Sequence, residues 1–275
     1  MLLMNRIILL ILIFAIGNSS YSQRTVGLIS YKPWKVFEGY NLIYPHNQSD
    51  VFLLNNCGEI VHKWEGEDDT RPGNTAYILE NGNLVKTSRS SNIMGDPIWA
   101  GGGGATVEIR SWENELLWSY TLNNDTARLH HDIAILPNGN IAMIAWELKT
   151  EEEAIEAGRN PDLIADGEVW SEMIMEVKPQ TDEVVWVWKA WDHLIQDYDE
   201  TKANFGIIGD KPERINLNYD SSEGSADWLH MNSLDHDPMN DQLLISVPTF
   251  NEVWVIDHFT TTEDAASSTG GFAGK

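Results

Sequence analysis

Two kinds of short hairpin alternate along this chain, and that alternation constrains the fold more than any other feature. One kind turns on Asn-Gly-Asn or a relative of it: ENGNLV at residues 80–85, PNGNIA at 137–142 and MNDQLL at 239–244. The other makes an acidic-apolar return that runs into tryptophan: GEIVHKW at 58–64, NELLWSY at 114–120 and DEVVWVW at 182–188. Asn-Gly between two apolar runs is a strong hairpin signal, because both residues tolerate positive φ. The alternation gives units of four short strands, stretched by irregular insertions. Repeated four-stranded sheets suit a propeller, which stacks its blades radially. The expected fold class is therefore all-β, a β-propeller of four-stranded blades with about four blades in these 275 residues. A β-sandwich is the alternative. The runs at 133–136 and 141–146 are almost continuously apolar, as strands buried on both faces are. Twelve tryptophans, most in strand-like segments, fit aromatic layers between sheets.

Residues 1–22 read as a signal peptide. Arg6 supplies the positive end, residues 7–16 are an apolar run, and Ser20-Tyr21-Ser22 fits a small-x-small cleavage site. The run is short for a membrane span of about 20 residues. The expected product is a periplasmic or secreted protein whose residues 23–275 form one incomplete propeller domain. Removing the leader leaves 17 basic against 42 acidic residues. Such a surface repels nucleic acid and anionic lipid, so neither is an expected partner. Cys57 is the only cysteine, which excludes an intramolecular disulfide and a cysteine zinc site.

The glycine run at 101–104 lacks a following Lys-Ser/Thr, so close backbone passage is expected there rather than a phosphate cradle. Residues 149–157 read as the one clear helix, with Thr150 as N-cap and Glu153 three residues on. Residues 191–226 form a long acidic insertion with turns at Gly209-Asp210 and 221–224, a candidate rim or lid.

The chemistry concentrates in residues 128–147 (RLHHDIAILPNGNIAMIAWE) and 227–250 (DWLHMNSLDHDPMNDQLLISVPTF). His130, His131 and His230 sit at the starts of strands expected to be innermost in their blades, so two blades would aim histidines at one axial site. Such histidines can bind a metal, move protons or act as nucleophiles. Asp132 and Asn232 occupy matching places, His130-x-Asp and His230-x-Asn, where a polar group can fix an imidazole or contact substrate. Asp227-Trp228 precedes the second site as a candidate support. His236 lies in a turn and is expected to be solvated. His46, His62, His193 and His258 are read as structural.

These stretches, together with AYILENGNLV (76–85), WENELLWSY (112–120) and NEVWVIDHFTTTEDAASSTGG (251–271), resemble the bacterial arylsulfotransferase family. The resemblance runs from about residue 39 to the end. It implies an exported six-bladed β-propeller that uses no nucleotide donor, no other cofactor and no metal. It implies transfer of a sulfuryl group from a phenolic sulfate ester to a phenol through a transient sulfohistidine. His230 and one of His130 and His131 then match family active-site histidines. Two departures follow. Where the family has an arginine after DWxHxNS, this strand reads Ser246-Val247-Pro248. The nucleophilic histidine of the family lies in a Gln-His-Asp motif beyond the glycine-rich segment, and these residues stop at Lys275. The chain as given is expected to resemble a C-terminally truncated member, inactive or nearly so. The alternatives are a non-catalytic propeller that binds ligands or partners, and a metal-dependent hydrolase.

Overall fold

The computed structural model describes residues 28–96, 98–219 and 225–267. The expected signal peptide, the expected turn at 221–224 and the glycine-rich residues 270–274 lie outside them. Antiparallel meanders follow one another along the chain, and within each the strand order is the sequence order. The first sheet holds β1 (Tyr40–Ile43), β2 (Val51–Asn55) and β3 (Ile60–Trp64). The second holds β4 (Thr70–Ile78), β5 (Leu84–Ser90), β6 (Thr106–Arg110) and β7 (Leu116–Thr121). The third holds β8 (Ala127–Ile135), β9 (Ile141–Thr150), β10 (Glu168–Lys178) and β11 (Glu183–Lys189). After a two-residue parallel pair, β12 (Leu194–Ile195) with β13 (Ile215–Asn216), the fourth holds β14 (Ser233–Asp237), β15 (Gln242–Val247) and β16 (Glu252–Asp257).

The Asn-Gly turns form as the sequence dictates. Asn81 and Asn138 each accept a backbone N–H two residues on through the side-chain oxygen, at 3.0 and 2.9 Å. The alternation of side chains then explains the continuous apolar run of β9. Ala142 and Ile144 join a core with Ile174, Trp186, Leu234 and Leu243 of the third and fourth sheets. Ile141, Met143 and Ala145 point the other way, into a core with Val85 and Val107 of the second sheet. A third core packs Val51, Leu53 and Trp64 against Leu84. Each sheet thus lies against the next, and the third is buried on both faces. Burying a side chain of this size stabilises by about 1.5–3 kcal/mol, so β9 alone anchors much of the protein.

Thr150 ends β9 and starts the helix Glu151–Ala157. Its hydroxyl accepts from Glu153 N–H at 3.2 Å, and the Glu153 carboxylate accepts from Thr150 N–H at 2.8 Å. This capping box is worth about 1 kcal/mol. The insertion is tied to the sheets by buried Arg159, which donates to Leu217 O and Leu163 O and stacks on Trp228. Among the described residues no helix is long and apolar enough to cross a membrane.

A candidate histidine site between the third and fourth sheets

The site begins with a break in a ladder. β8 leaves its register with β9 between Leu129 and Ile133, and the residues set free are His130, His131 and Asp132. A bulge of this kind re-aims side chains. His131 takes a φ of +48° and His230 one of +51°, a region that few non-glycine residues adopt. The glycine run closes against this bulge. His131 N–H donates to Gly102 O at 2.9 Å, and Gly104 N–H donates to Leu129 O at 3.0 Å. A Cβ on Gly102 would lie 2.0 Å from Cε1 and Nε2 of His131, so the imidazole fills the space a side chain would take. The run serves close backbone passage.

Three rings come together. His130 and His131 are 5.2 Å apart between centroids, and His131 and His230 are 4.7 Å apart. His130 is buried and stacks on Trp146 at 4.0 Å. Its Nε2 is 2.7 Å from Glu172 Oε2 and its Nδ1 is 2.9 Å from His131 Nδ1. The other oxygen of Glu172 accepts from Met231 N–H at 2.9 Å. On the far side, His230 Nδ1 is 2.5 Å from Asp227 Oδ2, and Asp227 Oδ1 accepts from Trp146 Nε1–H at 3.0 Å. Two buried acids thus hold the outer rings, and the middle ring hangs from His130. The ring nitrogens of His131 and His230 without a hydrogen-bond partner among the described residues are both Nε2.

The charges follow from burial and neighbours. Burial pushes the Glu172 carboxyl well above the usual range, nearby Asp227 adds to this, and the Met231 N–H only partly opposes it. Burial, followed by the neighbouring histidines, holds His130 well below its ordinary value. His131 is lowered to about 4, by burial first and then by His230. His230 moves upward, because its hydrogen bond to Asp227 outweighs its burial. Both directions favour the neutral pair, in which a Glu172 carboxyl donates its proton to His130 Nε2. In that arrangement His130 Nδ1–H donates to His131 Nδ1, and the proton of neutral His131 sits on Nε2. The middle ring is a neutral donor, and its neighbour His230 favours the imidazolium.

Asp132 and Asn232 do not orient the histidines. Asp132 accepts from Tyr77 Oη–H, Ile133 N–H and Leu234 N–H, which ties the second, third and fourth sheets together. Asn232 bonds Ser246 through its side chain and its backbone N–H. The orienting acids are Glu172 and Asp227. Glu172 carried a signal: with Glu176 it is one of two acids set into the mainly apolar β10 run, WSEMIMEV. Pro248 opens a short turn after β15. Arg128 lies beneath the site but is committed to Asp96, at 2.5 Å, and Gly104 O, at 2.9 Å. A cavity of about 830 Å³ lies elsewhere, lined among others by Trp188, His193, Arg214 and Trp254, and none of the three histidines lines it.

No curated protein matches this chain. Among solved structures it is similar to a protein of unknown function from Bacteroides caccae, with 11% identity and a TM-score of 0.43 over 81% of this chain and 55% of that one. It is also similar to Kuenenia stuttgartiensis hydrazine synthase, with 14% identity and a TM-score of 0.44 over 82% of this chain and 53% of that one. The chain thus spans about half the length of either. The sequence model of the arylsulfotransferase (ASST) family matches residues 48–263, most of the chain. The chain belongs to the arylsulfotransferase family.

Proposed function

We propose that this protein, as an exported β-propeller, takes part in moving a sulfuryl group from a phenolic sulfate ester to a phenol. In this reading the histidine trio is the oxyanion-binding and acid–base half of the site. The observation that carries it is the pair of Nε2 donors, on neutral His131 and on His230 held by Asp227. Sulfuryl oxygens accept from fixed donors, and a cation beside them stabilises charge as it develops. When the S–O bond of the donor breaks, the phenolate oxygen takes a proton from His230 Nε2. When the acceptor phenol attacks sulfur, its proton returns to the same nitrogen. The resemblance puts the transient carrier in a Gln-His-Asp motif that is not among these residues.

Binding of 4-nitrophenyl sulfate tests this by calorimetry. Because His230 gains its proton above the ordinary histidine range, affinity should rise as pH falls through its raised value. His131, at about 4, stays neutral across that window. His230→Gln should weaken binding about tenfold, or about 1.4 kcal/mol, and flatten the pH profile. Affinity that ignores pH in the wild type would overturn the assignment. The chain as given should show little ping-pong transfer, and ready turnover would place the carrier within these residues.

A further inference from the structure

At the far end of β14 from His230 lies a second cluster, separate from the site above. His236 Nε2 and His258 Nδ1 each lie 2.8 Å from the same atom, Asp241 Oδ1. One ligand atom from each of the three residues falls within 4.8 Å of the others. Behind them, His258 Nε2 is 3.0 Å from Glu176 Oε2. The other Glu176 oxygen accepts from Asn138 Nδ2 at 3.0 Å and Asn140 Nδ2 at 2.5 Å. The His236 side chain, expected to be solvated, is 7% exposed, and that of His258 is 10% exposed.

We infer that His236 Nε2, Asp241 Oδ1 and His258 Nδ1 bind a divalent transition metal of the zinc type, with Glu176 orienting His258 from behind. Proton counting supports this. A neutral imidazole has one N–H, yet His258 faces a carboxyl group at each ring nitrogen. A cation at Nδ1 lets Nε2–H serve Glu176 and leaves both contacts favourable. A carboxylate behind a metal-bound histidine is the usual arrangement, because it fixes the tautomer and raises the basicity of the ligand. Two imidazoles and one carboxylate suit zinc, with a water completing the tetrahedron. Zinc ligands at about 2.0–2.2 Å stand some 3.3 Å apart, so Asp241 Oδ1 needs to move about half an ångström away from each histidine nitrogen, now at 2.8 Å. Asp241, 38% exposed and in a turn, is the one placed to yield. The three ligands lie on or beside β14, β15 and β16, so the metal would join the strand ends of the fourth sheet, and Glu176 of β10 behind His258 would tie that centre to the third sheet.

The test is zinc titration of the full 275-residue chain after dialysis against a chelator, with metal analysis and thermal unfolding. One zinc per chain is expected, with a higher Tm in its presence. His236→Gln and His258→Gln keep a hydrogen-bonding side chain at each place. Each should weaken zinc binding about a hundredfold or more, and Glu176→Gln about 10–100-fold. His131→Gln should leave zinc affinity unchanged. Failure of the wild type to bind zinc stoichiometrically would overturn the site. So would wild-type affinity in both histidine variants, or loss of the metal in His131→Gln. None of these outcomes depends on sulfuryl transfer, so the metal site and the proposed activity stand or fall separately.

Discussion

Glu172→Leu is expected to cost about 2–5 kcal/mol of stability, whereas Glu172→Gln should cost less than about 1 kcal/mol. Glu172 is fully buried and bonds His130 Nε2 with one oxygen and Met231 N–H with the other. Leucine leaves both partners without a bond in a dry place, and each orphan costs about 1–3 kcal/mol. Glutamine reproduces the protonated carboxyl, with an N–H toward His130 and a carbonyl toward Met231. The comparison also reads the proton. The folded Glu172 carboxyl is raised, so its contribution is fully present below the ordinary glutamate range and is lost as pH rises toward the raised value. Glu172→Gln should therefore gain on the wild type as pH climbs above about 4.3. Urea midpoints across that range are the measurement. A glutamine variant as unstable as the leucine one would show that the carboxyl is ionised.

The second large effect is expected at Gly102. Its φ of +85° disfavours any side chain, and a Cβ would meet the His131 ring at 2.0 Å. Alanine must either unwind the local backbone or push the imidazole out, at about 2–4 kcal/mol. Binding of 4-nitrophenyl sulfate should fall about tenfold or more, because the donor on His131 moves. Gly101 is the control: nothing lies within 4 Å of a Cβ built there. Gly101→Ala should bind and unfold as the wild type does. Equal behaviour of the two variants would remove His131 from the site.

Much of the secondary structure was legible because it rests on local chemistry. The Asn-Gly turns, the tryptophan-bearing returns and the Thr150 capping box are each settled within a few residues. The continuous apolar run of β9 was legible too, since a strand covered on both faces needs no polar side. The pairing of the histidine rings was less so. Position in the repeat brought His131 and His230 together as expected. The expected supports, Asp132 and Asn232, failed because the bulge that frees His131 turns Asp132 toward Tyr77 and Leu234 instead. Glu172 reaches His130 across 42 residues, and Gly102 meets His131 only because two backbones touch. His236 and His258 fell outside the repeat pattern, and nothing in their immediate neighbours announces Asp241 as the partner they share or Glu176 as a further partner of His258.

The three-way junction at Asp132 has a kinetic consequence. Its side chain joins Tyr77, 55 residues before it, and the Leu234 amide, 102 residues after it. Most connections within a sheet close over a few residues, as β8 to β9 does, and none is longer than that from Thr150 of β9 to Glu168 of β10, while these bonds must wait for much longer loops to close. The sheets should therefore form first and dock afterwards, so that the histidines meet late in refolding. Pulse-labelled amides of the β8–β9 hairpin, which turns at Asn138-Gly139, should gain protection before the amide of Leu234 does. Simultaneous protection would mean that docking, rather than the local hairpin, nucleates the fold.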